Sequence, residues 1–183
     1  MTVDKKKILQ QVLEPIGGGG VTAEYRALRR SSLTKLYDFI PMILYNPHKG
    51  ISFRDVRHYY RIIKKVKPDI VQVRGANLDG LNAVIAAKLA HAKVMYCIHG
   101  IPSDNVYISK PKRMLFRYLL EPLGYMLSDG ISCVYSSGGA RSNFRHFQRK
   151  VLPYVYNRMD PLSIDPSDLK RKFCANQIFK GMQ

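Results

Sequence analysis

Acidic side chains are scarce in this sequence. There are 13 Asp+Glu against 30 Lys+Arg in 183 residues, a formal charge of +17. So few carboxylates, scattered along the chain, argue against acid–base chemistry by a carboxylate pair. The excess of cations implies an anionic partner: nucleic acid, an acidic membrane surface or a phosphorylated ligand. Cysteine is scarce too. Cys97, Cys133 and Cys174 are widely spaced and form no CxxC pair, which argues against a zinc site. Cys97 and Cys133 lie in apolar runs and are expected as buried small hydrophobes in a reducing cytoplasm. No run approaches ~20 apolar residues, so no segment is expected to span a membrane. The apolar stretch near the N-terminus is too short for a secretory signal. There is no internal repeat, no low-complexity tract, and no nucleophile triad or metal cluster.

What is present is alternation. Short β-rich runs alternate with helical patterns from one end to the other. Strands are expected at Ile8–Leu13, Tyr37–Tyr45 (irregular at Pro41), "DIVQVR", "KVMYCIHG", "GISCVYSS" and "KVLPYVYN". Between them, helices are expected at Thr22–Arg30, Ser52–Val66, Leu78–His91, Pro111–Leu127 (broken near Pro122) and, briefly, Ser142–Phe147. In the second helix, "SFRD" resembles a capping box with Ser52 as N-cap. Phe53, Val56, Tyr60 and Ile63 are expected on its buried face. Such alternation predicts an α/β fold: a Rossmann-like, doubly wound parallel sheet with helices on both faces. Ligands gather at the carboxyl ends of the strands in such sheets.

The residues after the strands are the candidates. Gly17, Gly18, Gly19 and Gly20 follow the first strand and precede a helix. Their spacing is neither G-x-G-x-x-G nor a Walker loop, so they fit a tight mobile turn or a ligand-facing loop equally. His99 and Gly100 end the fourth strand. His99 either faces the ligand crevice or bonds a neighbouring backbone group. Ser136 and Ser137, before Gly138 and Gly139, either donate to a ligand or cap a helix. Lys110, Lys112, Arg113 and Arg117 interleave with Met114, Leu115, Phe116 and Tyr118. This suits a helix lying on an anionic membrane, or a packed helix with a solvated basic edge. No RNA-binding module is present, so nucleic acid is disfavoured.

Taken in order, the strand and glycine run, "IIKKVKPDIVQVRG", "AAKLAHAKVMYCIHG", "SDGISCVYSS" and "KVLPYVYNRMD" resemble the N-terminal, acceptor-side domain of family 4 GT-B-fold glycosyltransferases. The resemblance covers about residues 5–161. It departs at Arg158, where the family's closing phrase usually has glycine, and at Glu24, which stands a few residues beyond the glycines. It implies a retaining, nucleotide-sugar-dependent transferase of surface polysaccharide or glycolipid assembly. The nucleotide sugar is then a substrate, no cofactor or metal is needed, and the acceptor is a sugar or lipid-linked sugar. By the same resemblance, Gly17–Gly20 let backbone amides approach the donor diphosphate or the acceptor hydroxyl. Gly100, Ser136 and Ser137 line the same crevice, and His99 contacts the donor sugar as the catalytic residue. Residues 1–160 are expected to form this domain. Residues 161–183 are expected to be a linker, or the start of a C-terminal donor domain that the chain lacks. On that expectation the chain is inactive or weakly active alone, cytoplasmic, and peripheral on the inner face of the membrane. The alternative is a non-catalytic membrane- or protein-binding module of the same fold.

Overall fold

A computed structural model describes residues 5–12, 20–43, 50–133 and 142–152. Five strands form one parallel sheet: β1 (Lys6–Val12), β2 (Tyr37–Ile43), β3 (Ile70–Arg74), β4 (Lys93–Ile98) and β5 (Gly130–Cys133). Their order across the sheet is β2-β1-β3-β4-β5. The connecting helices are α1 (Gly20–Arg30), α2 (Phe53–Val66), α3 (Leu78–Leu89), and α4 (Lys110–Leu115) running on into α5 (Glu121–Leu127). This is the doubly wound, Rossmann-like α/β architecture expected, with the winding direction reversing between β1 and β3. Pro41 is tolerated because β2 is an edge strand, where one side of the ladder needs no donor.

Helix boundaries follow from local chemistry. Ser52 caps α2, its Oγ accepting from Asp55 N–H at 3.4 Å. The Ser52 N–H donates to Asn82 Oδ1 on α3 at 3.1 Å, tying the two helices together. α2 ends at Lys67, in the left-handed region at φ 48°, and Pro68 prevents continuation. The buried stripe of α2 is Val56, Tyr59 and Ile63, with Asp55. One of the expected face residues differs: Phe53, in the first turn, is 83% exposed. Tyr60 is half-buried against the core, and Tyr59, three residues after Val56 on the same face, is buried with its hydroxyl bonded to Asp79, as described below.

Helix α3 is Ala-rich because it is buried on several sides, with Ala83, Val84, Ala86 and Ala87 all at 0% exposure. The expected break near Pro122 takes a specific form. Residues Phe116–Leu120 between α4 and α5 are π-helical, and Glu121 N–H bonds to Phe116 O. That widened turn relieves the clash and missing donor that proline imposes. The short last helix is a 3₁₀ segment over Ser142–Lys150. The final expected strand begins with Val151, which forms a parallel bridge to Ile131, while Leu152 N–H donates to Ile131 O at 2.8 Å. The rest of that strand, and the boundary at residues 160/161, lie outside the described residues.

The core lies on one face of the sheet. Leu9, Val71, Val73, Val94, Tyr96, Ile98 and Ile131 pack against Val56, Tyr59 and Ile63 of α2, the alanines of α3 and Tyr125 of α5. Helix α1 packs against β1 on the other face. Cys97 and Cys133 are both buried and neither is in a disulfide, as their apolar surroundings predicted.

Candidate functional site

The carboxyl ends of β1 and β3 flank the point where strand order reverses, the position at which open α/β sheets bind ligands. β3 ends in Arg74, whose side chain is only 1% exposed. Its guanidinium is clasped by Glu24 of α1 in a two-pronged pair. Nη1 donates to Oε2 at 2.7 Å and Nη2 to Oε1 at 3.1 Å. Charge-assisted, bidentate contacts of this kind are strong and geometrically specific. The backbone N–H of Arg74 donates to Gln11 Oε1 at 3.1 Å, so the residue is held from both ends.

His99, just beyond β4, joins this pair. Its Nε2 lies 4.0 Å from Glu24 Oε2, and its side chain is 19% exposed. Burial pulls the imidazole below its ordinary value; Glu24 opposes that and Arg74 reinforces it. His99 is therefore neutral at pH 7 and can both donate and accept a hydrogen bond. Nearby, burial pushes the Cys97 thiol up to about 11, which leaves it protonated and a poor nucleophile.

A second polar network holds the edge from the core side. Asp79, in the first turn of α3, accepts from Gln11 Nε2 at 2.6 Å and from Tyr59 OH at 2.8 Å. Burial raises the Asp79 carboxyl above the usual range, against the pull of those two bonds. The turn entering α3 is tight. Gly75 sits at φ +87°, and a Cβ on Gly80 would stand 2.1 Å from Gly75 O. Only glycine fits at both places.

The expected site residues fare differently. His99 lies at the crevice with Glu24 and Arg74. A side chain at Gly100 would meet open space, so nothing in the packing demands glycine there. Gly20 opens α1. Gly17, Gly18, Gly19, Ser136 and Ser137 lie outside the described residues. Lys110, Lys112, Arg113 and Arg117 lie on the α4–π segment, none of whose residues is buried. Met114 is 56% exposed, and Leu115, Tyr118 and Leu119 are exposed beside it. Arg113, Phe116 and Leu120 of the segment are half-buried, and its other residues are exposed. Buried Glu121 ties its base to the loop after His99, accepting from Ser103 N–H and Ser103 Oγ at 2.9 Å each.

Sequence reasoning did not single out Arg74, Gln11, Tyr59 or Asp79. A signal existed for two of them. Arg74 closes an otherwise apolar strand, and Gln10–Gln11 interrupts another. Among the described residues, no group of three His, Cys, Asp or Glu could hold a metal ion, and no helix is long and apolar enough to cross a membrane.

No family model matches this chain, and no curated protein matches it. Solved structures do. A UDP-N-acetylglucosamine 2-epimerase superposes with TM-score 0.60 at 12% identity, over 81% of this chain and 47% of that one. The UDP-GlcNAc 2-epimerase from Neisseria meningitidis bound to UDP-GlcNAc gives 0.57 at 15% identity, over 80% and 45%. A glycosyltransferase from Rickettsia africae gives 0.51 at 18% identity, over 92% and 48%. These likenesses show a GT-B-like fold. The chain spans less than half the length of each of these three structures.

Proposed function

We propose that this chain is the acceptor-side domain of a retaining, nucleotide-sugar-dependent glycosyltransferase, acting in surface polysaccharide or glycolipid assembly. The observation that carries the reading is the convergence of Glu24, Arg74 and His99 at the switch point of the sheet. Two kinds of solved neighbour support the sugar chemistry: a glycosyltransferase, and an epimerase that holds UDP-GlcNAc. The 2-epimerases keep a second reaction class open for the same fold, but the succession of motifs from the glycine run to "YNRMD" favours the transferase.

The chemistry assigned to the residues is as follows. Neutral His99 hydrogen-bonds a hydroxyl of the donor sugar without adding positive charge beside the anomeric carbon, where charge develops. Backbone amides of Gly17–Gly20, with Gly100, Ser136 and Ser137, serve the diphosphate side, where negative charge grows on the leaving group. No metal or coenzyme enters the scheme; the donor nucleotide sugar is a substrate.

A second element of the proposal is docking on the inner face of the cell membrane. The α4–π segment presents Lys110, Lys112, Arg113 and Arg117 beside exposed Met114 and Tyr118. Each cation near an anionic surface contributes ~1 kcal/mol. A membrane- or protein-binding module without turnover is the competing reading, and this segment is what favours it.

An NMR titration of the chain with UDP-, GDP- and ADP-sugars tests the proposal. Shifts at Gly75, His99 and Gly100 with about millimolar affinity, roughly −4 kcal/mol, are expected. No shift from any nucleotide sugar or simple glycoside would overturn the enzymatic reading. Vesicle co-sedimentation tests the docking. Binding to anionic lipid should fall with salt and when the four cations become Glu. Tighter binding to duplex RNA at matched salt would overturn the docking.

A further inference from the structure

The Arg74–Glu24 pair poses a question that packing does not answer. Burying an ion pair costs several kcal/mol of desolvation for each ion, and an apolar residue would fill the end of β3 at less cost. The pair also leaves the two charges unequally placed. Arg74 is enclosed at 1% side-chain exposure, while Glu24 keeps 24%. The carboxylate is thus fixed from behind and open in front.

What it opens onto is a cavity of about 230 Å³ between α1 and the sheet. Its lining combines the polar Glu24, His99 and Gln72 with the rings of Tyr37 and Phe39 and apolar surface from Leu28 and its neighbours. The volume is below the ~300–1,000 Å³ of sites for drug-sized ligands, so the space suits one ring rather than a nucleotide. Aromatic faces pack against apolar C–H surface, while carboxylate and amide groups bond hydroxyls. An ionised carboxylate only accepts, and the guanidinium that could attract an anion is already engaged by Glu24.

We propose that this cavity takes a neutral sugar ring of the acceptor, that Glu24 receives one of its hydroxyls, and that Arg74 is the positioning residue that aims Glu24. The inference rests on the glycosyltransferase reading and narrows it. The acceptor carries no phosphate at the end that enters, because an anion there would face the Glu24 carboxylate.

The test uses the full chain and NMR. The neutral probes are methyl α-glucopyranoside, α-galactopyranoside and α-mannopyranoside; the anionic probe is glucose 6-phosphate; UDP-sugars form a separate arm. At least one neutral glycoside should shift His99 and Glu24 signals, and glucose 6-phosphate should bind at least tenfold more weakly. Glu24→Gln should lower the melting temperature, because it leaves the enclosed Arg74 guanidinium without its counter-charge; in the folded fraction it should weaken the glycoside at least tenfold and make His99 titrate at lower pH. Arg74→Met should also weaken it and should make His99 titrate at higher pH. Arg74→Lys guards against misfolding in the Met variant. It keeps the charge but loses the fork, so it should restore the His99 titration and only part of the affinity. The proposal is overturned by glucose 6-phosphate binding as well as the glycosides, or by Glu24→Gln leaving affinity unchanged. It also falls if glycosides produce no shifts while UDP-sugars do, and in that case the transferase reading survives. Silence from every sugar and nucleotide sugar overturns both.

Discussion

Alternate residues of the same strands have opposite fates. On one face Leu9, Val71, Val73, Val94, Tyr96, Ile98 and Ile131 form a hydrocarbon layer beneath α2, α3 and α5, interrupted at its edge by Gln11 with Tyr59 and Asp79. On the other, buried Gln10, Gln72, Arg74, Cys97 and Ser132 are interspersed with the apolar Val12, Phe39 and Met95. A parallel sheet covered on both faces ordinarily has apolar side chains on both. Burying amides and a guanidinium is costly unless each finds a partner. The first face therefore accounts for stability, and the second carries the candidate chemistry. If that division is right, substitutions on the two faces should separate stability from binding.

The largest effect should come from the hydrocarbon face. Tyr96 is 1% exposed and packs against Tyr125 and the start of α5, where a Cβ on Gly124 would already stand 2.9 Å from its ring. Tyr96→Ala should cost about 3–5 kcal/mol by denaturant melt, as for other buried aromatic truncations. Ser132→Ala, one strand over and on the opposite face, should cost much less. Equal losses would dissolve the distinction between the faces.

Next is the edge where the faces meet. Gly80→Ala drives a methyl into Gly75 O and should cost roughly 1–3 kcal/mol. Because Gly75 follows Arg74 directly, this variant should also disturb the crevice. Its His99 titration should move even in the folded fraction. A melt lowered with His99 unchanged would show that the turn is purely structural.

This same edge marks the limit of what could be read from residue order. The five strands, their parallel arrangement and the helix caps were legible, because periodicity, Ser52 and Pro68 are local signals. His99 was legible as a polar residue closing an apolar strand. Glu24 and Arg74 are 50 residues apart and meet only after the sheet is assembled, so no spacing rule announces them. Tyr59 shares the face of Val56 and Ile63 by the helical period, but the partner of its hydroxyl, Asp79, lies 20 positions on and no local pattern announces it.

A smaller effect concerns pH. The His99 imidazole has a lower pKa folded than its unfolded value of 6.5, with burial the largest cause. The unfolded chain therefore binds the proton more readily. The stability tied to neutral His99 is fully present above about pH 6.5 and is lost as pH falls through that value toward the folded one. Melts of the parent and His99→Gln at pH 8 and pH 5.5 should show the gap between them shrink at the lower pH. A gap that grows on acidification would mean that His99 is held protonated by Glu24, and the crevice would then be cationic rather than neutral.

The smallest net effect should come from the polar face itself. Gln10 Nε2 donates to Gln72 Oε1, and Gln72 Nε2 donates to Cys97 Sγ at 3.1 Å. Gln10 Oε1 is buried with no hydrogen-bond partner among the described residues. Gln10→Leu alone strands the Gln72 carbonyl, and Gln72→Leu alone strands the Gln10 amide. Each should cost about 1–3 kcal/mol, the penalty for an unsatisfied buried group. Together they remove both partners and the orphaned oxygen, so the double variant should lie within about 1 kcal/mol of the parent. A layer that can be replaced by leucine without loss is not there for stability. The same double variant should then fail to hold a neutral glycoside, because Gln72 lines the cavity. If the double variant is instead less stable than either single one, the ladder is structural, and the division between the faces collapses.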